Sequence, residues 1–397
     1  MTQSDLLSPQ AYADVRKQVT EAATLPPHCY TGQDWYDAEV ERMWRHSWLL
    51  AGRVEEVAKP GDYRSVELFG EPLIIVRGDD NVVRVFSAVC RHRGCLIRTG
   101  DGNDKYLSCP YHGWTYGLNG DLVSVPGMRE ARNFDQKDYS LARIRSEIWG
   151  GFVFVNFDGD CAPLLDSFGE LAERMRPYRF EDMVVTRKVV TSIEANWKLW
   201  LENSREGYHA PVVHAKSYQR FYQKGGSQEW RYSGKSGVWE MMSGPNNDGL
   251  YLPLKPTLPM IEGLSPEDLE TTHFAIFYPH FLFNVPPSHL ACHQLFPRGP
   301  NATTVVTWFC FPKSTVSLPG FDENVASYYE MVETFLPEDK TISELTQRGL
   351  QSSFARPGRF SIHEQPCHSF SNWLLDHVLT PERTRPRIPS PGKSDLV

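Results

Sequence analysis

Residues 90 to 114 constrain this chain more than any other stretch. They read Cys90-Arg91-His92-Arg93-Gly94-Cys95, then a polar run, then Cys109-Pro110-Tyr111-His112-Gly113-Trp114. Reduced to donors, the pattern is Cys-x-His, sixteen residues, Cys-x-x-His. Two thiols and two imidazoles arrive in two short loops. That is enough for one metal centre with a sulfur side and a nitrogen side.

A structural zinc site can use two Cys and two His, but zinc modules more often pair like ligands. Here each loop supplies one Cys and one His, so each can reach both metals of a two-iron cluster. A Rieske [2Fe–2S] cluster requires this set, because two His replace two Cys on one iron and raise its potential. Chance juxtaposition of core residues is the third reading. Gly94, Pro110 and Gly113 suit tight loops that turn backbone N–H groups toward sulfur. Trp114 and Tyr111 are positioned to cover the cluster, and solvent exclusion tunes its potential. Cys95 does not fit the ligand spacing and reads as a loop thiol.

A chain of 397 residues predicts two or three domains. The formal net charge of -8 and the absence of a basic patch argue against nucleic-acid and membrane-surface partners. Apolar runs such as Gly150 to Phe157 are too short to span a bilayer. Met1 to Leu7 has no apolar core of a signal peptide. The eight cysteines show no disulfide-like framework, which leads us to expect a reducing cytoplasm.

Residues 1–39 are expected to form a helix (Tyr12 to Ala23) and an arm, and Asp37 to Trp48 a further helix. Pro72 to Val76 and Val82 to Phe86 read as strands around a turn at 78–81, and Gly150 to Phe157 as a buried strand. Residues 40–158 thus form an all-β domain carrying the cluster on two loop tips. Residues 159–379 mix strands (184–193, 303–311) with helices (164–175, 321–336, 341–350), and residues 225–268 read as a long irregular loop. Residues 380–397 read as an extended tail.

A second constellation lies in Glu202-Asn203-Ser204-Arg205-Glu206-Gly207-Tyr208-His209, followed by His214. Residues five apart on a regular helix point about 140° apart. His209 and His214 share a metal only if the helix breaks between them, where Pro211 stands. Two His and one carboxylate with open positions are the ligands of a non-haem Fe(II) oxygenase. Glu338-Asp339, at the start of the expected helix Asp339 to Leu350, is the best source of the carboxylate. A helix N-cap is the alternative role for Asp339.

Taken together, the cluster motif, Asn196-Trp197-Lys198, Tyr208-His209-x4-His214 and the segment from Glu338 to Leu350 resemble the catalytic α subunit of Rieske non-haem iron oxygenases. The resemblance covers nearly the whole chain. It implies an α+β fold, with an N-terminal all-β Rieske domain and a catalytic domain whose antiparallel sheet is flanked by helices in helix-grip fashion. It implies that Cys90 and Cys109 bind one cluster iron and His92 and His112 the other. His209, His214 and Asp339 would then hold mononuclear Fe(II). Family members carry an Asp three residues before the first iron-binding His, linking it to the Rieske His of a neighbouring subunit. Here that position is Glu206, so Glu206 would bridge His209 and a neighbour's His112. Relatives acting on small quaternary amines, such as carnitine and glycine betaine monooxygenases, look similar at this point. Asn203 would lie near the iron or serve as a packing amide.

The resemblance further implies electrons from NAD(P)H through a separate reductase carrying flavin or iron–sulfur, with or without a ferredoxin, and a ring of subunits that is usually a homotrimer. This chain has no Gly-x-Gly-x-x-Gly loop of its own. Hydroxylation or N-demethylation of a small substrate with O2 is the favoured reaction, with aromatic ring dihydroxylation as the alternative. Candidate pocket walls are Trp239, Met241, Phe274, Phe277, Phe281 and Phe309, with His289 and His293 as polar members, although most of these are expected to be plain core. A plain electron carrier would leave the second ligand set unexplained, and a zinc module would hold no labile sulfide.

Overall fold

A computed structural model describes residues 6–217, 231–235, 238–245, 252–253 and 255–380. Two compact units emerge. One is built on residues 45–166, the other on residues up to 44 together with those from 167 onward. The N-terminal segment, expected as a separate arm, therefore belongs to the same unit as the catalytic sheet. The tail beyond Thr380 lies outside the described residues.

The first unit holds ten short strands: β1 (Leu49–Arg53), β2 (Asp62–Leu68), β3 (Glu71–Arg77), β4 (Val83–Ser87), β5 (Asp101–Asn103), β6 (Leu107–Ser108), β7 (Thr115–Tyr116), β8 (Leu122–Ser124), β9 (Arg143–Trp149) and β10 (Phe152–Asn156). Seven form an antiparallel sheet in the order β1-β10-β9-β4-β3-β2-β5, and β6-β7-β8 form a small second sheet. The β3–β4 hairpin closes where Gly78 N–H donates to Val82 O at 2.9 Å, with Asn81 at φ 64°, a conformation that asparagine tolerates. Gly120 turns the β7–β8 hairpin at φ 91°. A Cβ there would meet Phe86 Cε1 at 2.5 Å, so only glycine fits. The core between the sheets gathers Ile74, Phe86, Leu107, Tyr116 and Leu122 around Cys90 and Cys109.

The second unit is organised on one seven-stranded antiparallel sheet: β11 (Met183–Ile193), β12 (Arg231–Lys235), β13 (Trp239–Pro245), β14 (Thr271–Phe277), β15 (Phe281–Val285), β16 (Leu290–Gly299) and β17 (Ala302–Pro312). Their order is β11-β17-β16-β15-β14-β13-β12. The main helices are α1 (Gln33–Arg42), α2 (Trp197–Asn203), α3 (Ala210–Val213), α4 (Phe321–Leu350) and α5 (Gln365–Val378). Side chains alternate across the sheet. Phe309 contacts Tyr329 edge-on and His289 contacts Tyr328, so their face meets α4. The opposite face meets the segment before β11, where Phe168 stacks on Phe277 and Phe180 packs on Phe283.

Several local expectations change. Residues 12–23 are not a helix: a 3₁₀ turn, Pro9–Tyr12, ends at their start and turns follow. The 37–48 helix ends at Arg42 and gives way to a 3₁₀ turn, Trp44–His46. The 164–175 helix is split at Gly169, which adopts φ 48°. Conversely, 321–336 and 341–350 are one helix, with Pro337 inside it. A proline removes one helical N–H and favours a kink, yet the helical residues run on through Pro337, which is exposed. The supposed loop at 225–268 contains β12 and β13, because β13 pairs with β14 along its full length.

The Asn-Trp-Lys motif is the joint of this unit. Asn196 caps α2, its Oδ1 accepting from Lys198 N–H at 3.1 Å. Its side-chain amide donates to Tyr30 O and Pro300 O, and its backbone N–H to Gln347 of α4. Lys198 Nζ lies 2.6 Å from Glu39 Oε1, both fully buried, and the indole N–H groups of Trp35 and Trp197 also donate to that carboxylate. The buried charge pair ties α1 to α2, and Asn196 ties α2 to the β16–β17 turn and to α4, which sets where the chain after α2 emerges.

Candidate active site

The first ligand set lies on two matching loops. Cys90 N–H donates to Cys95 O and Gly94 N–H to Cys90 O; Cys109 N–H donates to Trp114 O and Gly113 N–H to Cys109 O. Gly94 and Gly113 take φ 74° and 70°, which lets each loop double back over its cysteine. Cys90 and Cys109 are buried, while His92 is half-buried and His112 exposed. The sulfur side therefore faces the core and the nitrogen side the surface. The two imidazoles meet edge to face with centroids 4.7 Å apart, and His92 stacks on Trp114 at 4.8 Å. Tyr111 packs on His112, and Arg93 lies over Tyr111.

The environment favours the thiolate at Cys109 and not at Cys90. Burial opposes the charge of Cys109, but the N–H groups of Tyr111 and His112, together with the neighbouring thiols, outweigh it and hold its pKa below the usual thiol range. Burial raises that of Cys90, with the Tyr116 hydroxyl, 3.4 Å from its Sγ, pulling it back. Tyr116 is a residue that sequence reasoning missed: its place in a hairpin strand gives no sign that it faces sulfur. Among the described residues no three of these four donors converge within single-ion distance. Cys95 sits half-buried beside them, its Sγ 3.5 Å from Leu96 O.

The second set does converge on one point. His209, His214 and Asp339 bring one donor atom each to within 4.8 Å of one another. The histidines do not lie on a kinked helix. They flank α3, a single turn with Pro211 in its first half, where a missing N–H costs nothing. One turn brings their rings to 5.2 Å at 73°. Asp339 is not an N-cap. It projects from the interior of α4, and its Oδ1 lies 3.1 Å from His214 Nε2 and 3.7 Å from His209 Nε2. That oxygen is buried and accepts no well-formed hydrogen bond, which is costly unless a cation compensates it. The donor set fits a facial two-His, one-carboxylate metal site.

Each remaining ring nitrogen is held by a second carboxylate. His209 Nδ1 lies 2.6 Å from Glu206 Oε1, while Glu206 Oε2 accepts from the N–H groups of His209 and Tyr208. His214 Nδ1 lies 2.7 Å from Glu338 Oε2, which also accepts from Ser217 Oγ. Such partners fix the ring so that Nε2 faces the metal. Burial disfavours a charged His214, but Asp339 and Glu338 overcome it and raise its pKa above the ordinary imidazole value in the metal-free chain. Glu338, adjacent to the expected ligand, went unread as the clamp of His214. Asn203 is half-buried at the end of α2, and no hydrogen bond joins it to the triad among the described residues.

Strand register sorts the expected pocket walls. Phe274, Phe309, His289 and His293 share the α4 face. Trp239, Met241, Phe277 and Phe281 point to the opposite face, away from the helix that carries Asp339, and form core there. A one-residue step in a strand reverses the face.

The comparisons agree with this architecture. The family description "Ring hydroxylating alpha subunit (catalytic domain)" matches residues 180–380, and "Rieske [2Fe-2S] domain" matches residues 47–135. The carnitine monooxygenase oxygenase subunit of Acinetobacter pittii is 29% identical over 87% of this chain and 90% of its own length. The glycine betaine monooxygenase oxygenase subunit of Pseudomonas aeruginosa is 26% identical over 93% and 92%. A solved quaternary ammonium Rieske monooxygenase, described for carnitine oxidation and inter-subunit electron transfer, superposes with a TM-score of 0.76 at 26% identity over 90% of this chain and 96% of that one. Half of the chain matches the catalytic-domain description and residues 47–135 match the cluster domain, so this protein belongs to the Rieske oxygenase α subunits, oxidoreductases that combine a [2Fe–2S] cluster with a mononuclear iron and take electrons from a separate reductase.

Proposed function

We propose that this chain monooxygenates a small quaternary ammonium compound, by hydroxylation or by removal of an N-methyl group. The observation that carries the reading is the open, three-donor site of His209, His214 and Asp339 in a chain whose relatives are carnitine and glycine betaine monooxygenase subunits. Cys90 and Cys109 would hold one cluster iron, His92 and His112 the other, and the triad the mononuclear iron. Bound there, the two groups supply single electrons and O2 activation.

The chain's own residues do the rest. Glu206 and Glu338 orient the imidazoles, and the buried sheet face keeps water from the reacting atoms. Glu206 would also accept a hydrogen bond from His112 of the partner subunit, joining the two centres across a head-to-tail interface. Two features support that bridge. His112 is exposed at its loop tip. Near Glu206, Tyr208 and Val212 stand 59% and 80% exposed, apolar surface that a neighbouring subunit would cover. A head-to-tail contact closes into a ring, and a homotrimer is the assembly we propose. Free cysteines throughout support a reducing, cytoplasmic setting. No helix among the described residues is long and apolar enough to cross a membrane.

The test is turnover of iron-loaded protein with a surrogate reductase, NADH and O2 on two panels, quaternary amines and aromatic acids, with products followed by mass. Gain of one oxygen, or loss of a methyl group as formaldehyde, on the amine panel is expected. Products from the aromatic panel alone would overturn the substrate assignment.

A further inference from the structure

The proposed function leaves several buried polar side chains of the α4 face without a task, among them Asn284, His289 and His293. His293 lies on β16, opposite Leu282 of β15 and Thr307 of β17. Glu240 of β13 lies on that face too, through Ile276 and Leu282. Arg205, from the loop leading to His209, reaches down to Glu240 at 3.3 Å. The face holding His293 is therefore the one lying under the triad's own elements. Asp339 is the charge that acts on its proton affinity.

Thr307 Oγ1 lies 2.9 Å from His293 Nδ1, which fixes the ring and turns the other edge away from β17. His293 Nε2 makes no hydrogen bond with any described residue, yet the side chain keeps 5% exposure. His289, four residues earlier on the same face, has less room around it. It is fully buried and stacked on Phe311, with Nδ1 held by Ser288 and Nε2 enclosed without a hydrogen-bond partner. Beside His293 stand Ala291, which is small, and the apolar Leu282 and Phe309. Asn284 faces the same side, opposite Ala291; a few hydrogen-bonding groups in an apolar wall are how ligand sites fix orientation.

We propose that His293 is a specificity-determining residue: its Nε2 edge hydrogen-bonds the hydroxyl or carboxylate of the substrate, leaving the trimethylammonium end for the apolar wall and the iron. Burial keeps the imidazole neutral, with a pKa pushed down to about 4, so it selects by hydrogen bonding and not by charge. Thr307 is the positioning residue that holds the ring. The inference rests on the quaternary-ammonium reading.

The experiment is ligand binding to the iron-loaded protein, read from the electron paramagnetic resonance of the Fe(II)–nitric oxide adduct, with two probes. γ-Butyrobetaine carries a carboxylate, and tetramethylammonium carries none. In His293→Leu, affinity for γ-butyrobetaine is expected to fall about tenfold or more, the effect of one lost hydrogen bond to a charged group, while tetramethylammonium changes less than about twofold. His293→Gln, which retains an N–H donor, restores most of the loss, and Thr307→Val gives a smaller loss of the same probe dependence. Equal weakening of both probes, or of neither, overturns the inference while the substrate class stands. Wild-type protein that binds neither probe overturns the substrate class and this inference with it.

Discussion

Glu338 Oε2 lies 2.7 Å from His214 Nδ1, and its neighbour Asp339 presents Oδ1 to the other nitrogen of the same ring at 3.1 Å. Two consecutive residues of one helix thus grip both edges of one imidazole. Only the interior of a continuous helix offers that geometry, since adjacent side chains there diverge by about 100° and can straddle a ring. Glu338→Ala frees the ring to rotate. Iron affinity of the mononuclear site should fall about 10- to 100-fold. Titration of apo-protein with Fe(II) measures this, and the cluster's visible spectrum should stay unchanged.

Glu206 acts on the other imidazole and at the surface. Glu206→Ala, loaded at saturating Fe(II), should keep both metal centres and lose turnover about 100-fold or more, because precise juxtaposition of the two centres is lost. Reduction of the cluster by the reductase should proceed at the normal rate. Full steady-state activity in this variant would remove Glu206 from the path between the centres.

The Glu39–Lys198 pair is buried at both ends. Lys198→Met leaves the carboxylate without its cation, at a cost of about 3 to 5 kcal/mol. The double substitution Glu39→Gln with Lys198→Met should recover much of that, since no charge is then stranded. Chemical denaturation of the three variants checks the order.

Glu202 should make stability pH-dependent. Burial raises its pKa from 4.5 to about 7 despite the hydrogen bond donated by Tyr30 and the charge of Lys198. The folded state holds this proton more tightly than the unfolded chain. Its stabilising effect is therefore complete below pH 4.5 and is lost as pH rises through about 7. Glu202→Gln keeps the acceptor for Tyr30 without the charge. Its melting temperature, relative to wild type, should rise progressively from pH 5 to pH 8 on the order of a few degrees. A constant offset across that range would assign the proton elsewhere.

The sequence by itself determined the chemistry. Ligand spacing within a short loop is a local property, so Cys90, His92, Cys109 and His112 were legible as one set before any fold was known. The pair His209 and His214 was legible for the same reason, although the single helical turn that joins them was not. Strands in the cluster domain followed from alternation and turn residues. What only the tertiary structure decided lies in long-range packing. Whether Pro337 ends a helix depends on what holds the helix on its other face, and so did the role of Asp339. Glu338 became a clamp only because α4 passes beside α3. The pocket walls depended on strand register, where one residue reverses the face, so four of eight expected side chains proved to be core. Local donors are written in sequence, whereas the faces they share are set by pairing between strands far apart in the chain.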